Sequence, residues 1–276
     1  MGILPLLFLL VASSVAVPLE EQDDLHHSEY TRRSRSTENP VEAEFISGGQ
    51  AARPGDVPNH ALFLFINSEG QPESCGGSLI SKKHVLTAAH CAVKAKQHVQ
   101  VLVGSVNSQI VENGQRIKVK EIIDHPYYDE DTLNNDIAIV ELEKEVVMKP
   151  KDRSVGIVQL ARDTSSVTNG ASVVVSGFGR TPNLKTAQLF LTPTDECSKA
   201  YNKTFATNQE CAKGNKGGVE DGDDGGPLFV VRAGGLIQIG VASYPPPKGQ
   251  NNFVFTRIDR YCNWIQVVTD GIAECK

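Results

Sequence analysis

From Ile46 onward the chain alternates short apolar, β-branched runs with turn residues. The runs at 61–66, 99–103, 116–123, 137–141, 171–176, 228–232 and 236–242 predict strands. Many short strands at close spacing predict an all-β sandwich or barrel. One amphipathic helix is expected at the C-terminus, over 261–269, with Trp264, Ile265 and Val268 on one face. Before Ile46 the texture differs. Residues 3–11 are apolar but too few to span a bilayer, and Ser14-Val15-Ala16 supplies small residues for cleavage. Residues 1–16 therefore read as a signal peptide, with a buried N-terminal helix as the alternative. Residues 17–45 are polar, charged and without hydrophobic period, as expected of an exposed pro-segment. Within them, Arg32-Arg33-Ser34-Arg35 is either a processing site or a solvated charge cluster.

Charge sharpens this division. The net charge is −6, of which residues 1–45 carry −5 through eight acids and three arginines. The remaining chain is nearly neutral, which argues against a nucleic-acid or anionic-membrane partner. A secreted chain with six cysteines is expected to hold disulfides, although spacing alone does not fix their pairing. No CxxC or His/Cys cluster has zinc-ligand spacing, so neither metal nor cofactor is expected. Asn202-Lys203-Thr204 is a glycosylation sequon.

Three motifs carry candidate chemistry. Thr87-Ala88-Ala89-His90-Cys91 supplies a histidine, Asn135-Asp136-Ile137-Ala138 an aspartate, and Gly222-Asp223-Asp224-Gly225-Gly226-Pro227 a glycine-rich loop. Acyl transfer needs a nucleophile, a base and an acid that orients the base. The three motifs in this order, with Cys75-Gly76-Gly77-Ser78 ahead of them, resemble the trypsin/chymotrypsin-like serine proteases. The resemblance runs from Ile46 to about Ile265 and includes His125-Pro126, Ser176-Gly177-Phe178-Gly179 and Phe255-Thr256-Arg257. It implies one domain over 46–276, made of two packed six-stranded antiparallel β-barrels with a C-terminal α-helix and a site between the barrels. It also implies disulfides Cys75–Cys91 and Cys197–Cys211, leaving Cys262 to pair with Cys275. By the same likeness, the amides of Gly222 and residue 224 form an oxyanion hole. Ile46 would be the activated N-terminus that pairs with Asp223, although Phe45 replaces the usual basic residue before that bond.

The departures from the family pattern fall in the site. Asp224 stands where the nucleophilic serine belongs. A carboxylate is a poor nucleophile toward an amide, its acyl product would be an anhydride, and its charge opposes a developing oxyanion. Asp224 is expected to pair with protonated His90 instead, raising its pKa. The resemblance makes Ser243-Tyr244-Pro245 the strand that pairs with substrate, and Pro245 has no N–H to donate. Gly218 would be the pocket base and Phe253 a wall residue whose ring fills the pocket. The reading is a secreted, monomeric, proteolytically inactive homologue. It would act by binding an extracellular protein: a protease, an inhibitor or another component of a proteolytic cascade. The alternatives are an active endopeptidase hydrolysing secreted or dietary proteins, and an unrelated β-barrel carrier or lectin.

Overall fold

The structure, a computed structural model, describes residues 49–110, 114–215, 217–244 and 246–276. The signal-peptide and pro-segment readings, Ile46 and Pro245 lie outside the described residues. A short edge piece, β1 (Gln50–Ala51), is followed by six strands that close on themselves. These are β2 (His60–Ile66), β3 (Pro72–Leu79), β4 (His84–Thr87), β5 (Gln97–Val103), β6 (Gln115–Asp124) and β7 (Ala138–Leu142), in the spatial order β2-β3-β4-β7-β6-β5. Phe63, Leu79, Leu86, Leu102, Ile117, Ile139 and Leu142 fill this barrel, each no more than 2% exposed.

Two residues of β8 (Gln159–Leu160) lead to the second barrel. It comprises β9 (Ser172–Gly177), β10 (Lys185–Thr192), β11 (Gln209–Gly214), β12 (Pro227–Arg232), β13 (Gly235–Tyr244) and β14 (Asn252–Arg257). The order is β10-β11-β14-β13-β12-β9, and β9 pairs back to β10 to close it. Val173, Leu189, Leu228 and Phe255 lie at its centre. β1 pairs with β10, and β8 runs parallel to β13. The apolar cluster of the first barrel continues through Leu160, Phe229, Val241 and Ile258, so the barrels share an apolar core.

All seven runs read as strands form β2, β5, β6, β7, β9, β12 and β13, with ends moved by at most two residues. The expected terminal helix is α3 (Cys262–Val268). Two short helices were not expected: α1 (Ala89–Lys94) and α2 (Thr194–Tyr201). Each has at most eight residues, too few to display a hydrophobic period. α1 forms where the chain turns away from β4, and α2 follows Pro193 with Asp195 and Glu196 in its first turn, where the helix dipole favours acids.

Disulfides join Cys75 to Cys91, Cys197 to Cys211 and Cys262 to Cys275. Each closes a loop of 13–16 residues, which the chain-entropy account values at about 3 kcal/mol. The first ties β3 to α1 and so fixes the helix that carries His90.

Candidate active site

Asp136 is the fixed point around which the site is built. It is 0% exposed and follows Asn135, whose φ of 57° lies in the left-handed region that asparagine tolerates. Asn135 is held on both ends of its amide: Nδ2 donates to the Tyr127 carbonyl, and Oδ1 accepts from Tyr261 Oη. The Asp136 carbonyl accepts from Thr256 Oγ1 on β14 at 2.9 Å. Its carboxylate accepts three hydrogen bonds. His90 Nδ1 donates to Oδ2 at 2.7 Å, the His90 backbone amide to Oδ1 at 2.9 Å, and Ser243 Oγ to Oδ2 at 2.6 Å. A carboxylate only accepts, so the Nδ1 proton is assigned by this contact. Ser243 sits at a register shift in β13, and the bulge turns its hydroxyl toward Asp136.

The 220–226 loop approaches from the second barrel. Its glycines are dictated by backbone contact. Gly222 and Gly225 have φ of 95° and 79°, and a Cβ on Gly225 would lie 2.2 Å from Thr87 Oγ1. A Cβ on Gly76 would lie 2.7 Å from Gly226 Cα. The two glycine-rich motifs therefore meet face to face, and Gly76 N donates to the Asp224 carbonyl at 2.7 Å. Asp223 is 2% exposed. Its carboxylate accepts from the amides of Gly179 at 2.6 Å and Glu220 at 3.1 Å. Burial is the main cause that lifts the Asp223 carboxyl to about 7, against those two hydrogen bonds and with the charges of Asp224 and Glu220 adding to it. No hydrogen bond joins the amides of Gly222 and Asp224 to another described residue, so both donors remain available in the loop.

Asp224 lies beside His90 without bonding to it. Its Oδ1 is buried and has no hydrogen-bond partner, and no ion pair or hydrogen bond joins its carboxylate to His90 among the described residues. This corrects the expected contact. The ring is committed through Nδ1 to Asp136, and its Nε2 lies 3.5 Å from Cys91 Sγ. Asp224 acts on it by charge alone. Burial draws the His90 imidazole down, but the hydrogen bond and charge of Asp136, aided by Asp224, outweigh it and hold the ring above its ordinary range. Burial raises the Asp224 carboxyl, opposed by the charges of His90 and Lys94. A protonated Nε2 has no lone pair with which to take a proton. Cys75, His90 and Cys91 bring metal-ligand residue types together, but both sulfurs are used in the disulfide.

The cleft residues are placed as follows. Phe253, on β14, is 3% exposed, and a Cβ on Gly218 would lie 2.3 Å from its Cε2. The phenyl ring thus rests on Gly218. Tyr244 ends β13 and is 8% exposed; its hydroxyl donates to the Thr132 carbonyl in the first barrel. Asn202 is exposed at the C-cap of α2 with φ of 50°. The sequence placed Thr256 in a family motif but gave it no role; it holds Asp136 through the backbone carbonyl. The sequence reading missed Lys203, Tyr201 and Phe205, which surround Tyr244; their only sequence signal is the aromatic spacing around the sequon.

A family model described as Trypsin matches residues 46–265. The chain is 37% identical over 220 residues to a trypsin of Simulium vittatum, covering 75% of this chain and 85% of that protein. It is 33% identical to granzyme F of Mus musculus, covering 81% and 90%. The solved structure of GrC superposes with a TM-score of 0.73 at 29% identity, covering 81% of this chain and 99% of that one. The chain belongs to the trypsin family of serine proteases, and its two closed barrels are that family's fold.

Proposed function

We propose that this chain is a proteolytically silent member of the trypsin family that works by binding another protein outside the cell. The observation that carries the reading is the carboxylate of Asp224 at the nucleophile position. It cannot form an acyl ester, and it puts negative charge beside the Gly222 and Asp224 amides that would have to receive an oxyanion. In the handling of such triads by mutation, loss of the nucleophile alone costs about 10⁶ in turnover. The raised His90 pKa favours the imidazolium, which has no lone pair with which to act as a base. The ring of Phe253 over Gly218 leaves no room for a substrate side chain to reach that glycine.

An extracellular setting is supported by the leader-like run at 3–11, the three disulfides, and the lack of any helix among the described residues long and apolar enough to cross a membrane. The partner is a protease, an inhibitor or another component of a proteolytic cascade, by analogy with the family. The test is a fluorophosphonate probe, which requires a nucleophilic serine. The purified protein is expected to stay unlabelled while Asp224→Ser takes up the probe. Labelling of the unaltered chain that disappears in His90→Ala would overturn the proposal.

A further inference from the structure

At the end of β13 the chain binds one of its own side chains as a ligand. The Lys203 ammonium lies 4.9 Å from the centroid of the Tyr244 ring, at its hydroxyl end. It donates to Tyr244 Oη at 3.0 Å and to the carbonyls of Asp131 and Thr132, each at 3.3 Å. An ammonium has three donors, and here it meets three oxygens. The aromatic wall is itself built. Tyr201, Phe205 and Tyr244 pack mutually edge to face, with centroids 5.2–5.8 Å apart and interplanar angles of 79–89°. Phe205 and Tyr244 are buried, and Tyr201 Oη donates to the Asn252 carbonyl at 2.8 Å.

The local chain path points Lys203 inward. α2 ends at Asn202 in the left-handed region, and Lys203 N donates back to the Ser198 carbonyl at 3.1 Å. That reversal leaves Asn202 facing solvent and turns the next side chain toward the first barrel. The carbonyls it meets belong to the segment that leads into Asp136. Neighbouring bonds run the same way: Asn208 Nδ2 donates to Asn134 Oδ1 and Gln209 Nε2 to the Leu133 carbonyl. Lys203 is only partly exposed and its ammonium is held by three oxygens, so it is a bound group rather than a freely solvated one.

We propose that the Tyr244 hydroxyl and the carbonyls of Asp131 and Thr132, with Tyr201 and Phe205 packed behind the Tyr244 ring, form an ammonium-binding cage that Lys203 occupies. This internal ligand fastens one barrel to the other at the end of β13. The cage is selective for a primary alkylammonium, because three acceptors match three N–H donors, and it is closed to ligands from outside while Lys203 stays in it. None of this depends on the chemistry of Asp224, so it stands or falls apart from the functional reading above.

The experiment is chemical rescue. Lys203→Ala deletes three methylenes and the ammonium, a shape that n-propylammonium replaces. The variant is expected to melt about 2–4 °C below the unaltered chain. Millimolar n-propylammonium should restore most of that loss, whereas n-propanol, with the same stem and no charge, should not. Lys203→Met fills the stem channel and should be destabilised without being rescued. An unchanged melting temperature in Lys203→Ala, equal rescue by the alcohol, or no rescue by the amine would each overturn the proposal. A second readout uses the unaltered chain and needs no variant. Acetic anhydride should modify Lys203 about tenfold more slowly than Lys199, whose side chain is 77% exposed. Equal rates would contradict an occupied cage.

Discussion

The carboxylate of Asp224 reaches His90 through space, and its effect on the ring is therefore a matter of charge rather than of bonding. Asp136, which both hydrogen-bonds the ring and faces it with a charge, contributes more to the raised His90 pKa than Asp224 does. Two substitutions separate these causes. Asp224→Asn is expected to lower the His90 titration midpoint, and Asp136→Asn to lower it further, as followed by the imidazole proton resonances. A midpoint unmoved by Asp224→Asn would mean that the carboxylate is protonated or turned away. Two other buried groups contribute to the pH dependence of stability. His60 is buried, with Nδ1 at 2.9 Å from Ser176 Oγ and Nε2 without a partner. Burial lowers its pKa to about 3 from an ordinary 6.5. Its contribution is complete above 6.5 and is lost as pH falls toward 3, because the unfolded chain alone takes the proton. Asp223, raised to about 7 from 3.8, has the opposite sign. Its contribution is complete below 3.8 and is lost as pH rises through 7. The two slopes oppose each other between about 3.8 and 6.5. His60→Gln should remove the destabilisation on the acid side, and Asp223→Asn the loss toward neutrality, in denaturant titrations across pH. A His60→Gln curve that keeps the full acid slope would place that slope elsewhere.

Among the elements, β14 and the segment at 217–219 close the pocket from inside. Phe253 is buried and rests on Gly218. Phe253→Ala should cost about 3–5 kcal/mol in equilibrium unfolding, as for other buried aromatics. The space vacated over Gly218 is apolar and should take up benzene, raising the melting temperature of the variant and not of the unaltered chain. A cost below about 1 kcal/mol would mean that the ring is not packed in a pocket. How well the sequence could be read also differs by element. Strands such as β2, rich in Leu and Phe, and β13, with Leu, Ile and Val, carry their own signal. β3 contains Gly76 and Gly77, and β11 reads Gln-Glu-Cys-Ala-Lys-Gly, so composition hides both. They are strands because neighbours on both sides supply hydrogen bonds, which no local window contains. The site was legible where a fixed spacing of motif residues carried it, as with His90, Asp136 and the 222–227 loop. It was illegible where one side chain had to choose between partners. The orientation of Asp224 and the inward turn of Lys203 depend on packing between barrels, and neither spacing nor composition records that choice.

For the molecule as a whole, the acid–base pair and the hydroxyl of Ser243 keep a catalytic geometry while the groups that would use it are altered. His90 and Asp136 come from the first barrel; Asp224, Ser243 and Phe253 come from the second. The shared core holds them together regardless of whether chemistry occurs, so the fold does not depend on the reaction. A binding protein needs only that scaffold and its surface. Restoring Asp224→Ser alone should permit reaction with a small probe yet leave peptide amide turnover well below that of active relatives, since Phe253 and Pro245 persist. The measurement that bears most directly on the central claim is turnover of casein and of a peptide ester by the purified chain, run beside His90→Ala. The account predicts hydrolysis no greater than background and equal in the two proteins. Turnover that survives repurification and vanishes in His90→Ala would contradict it.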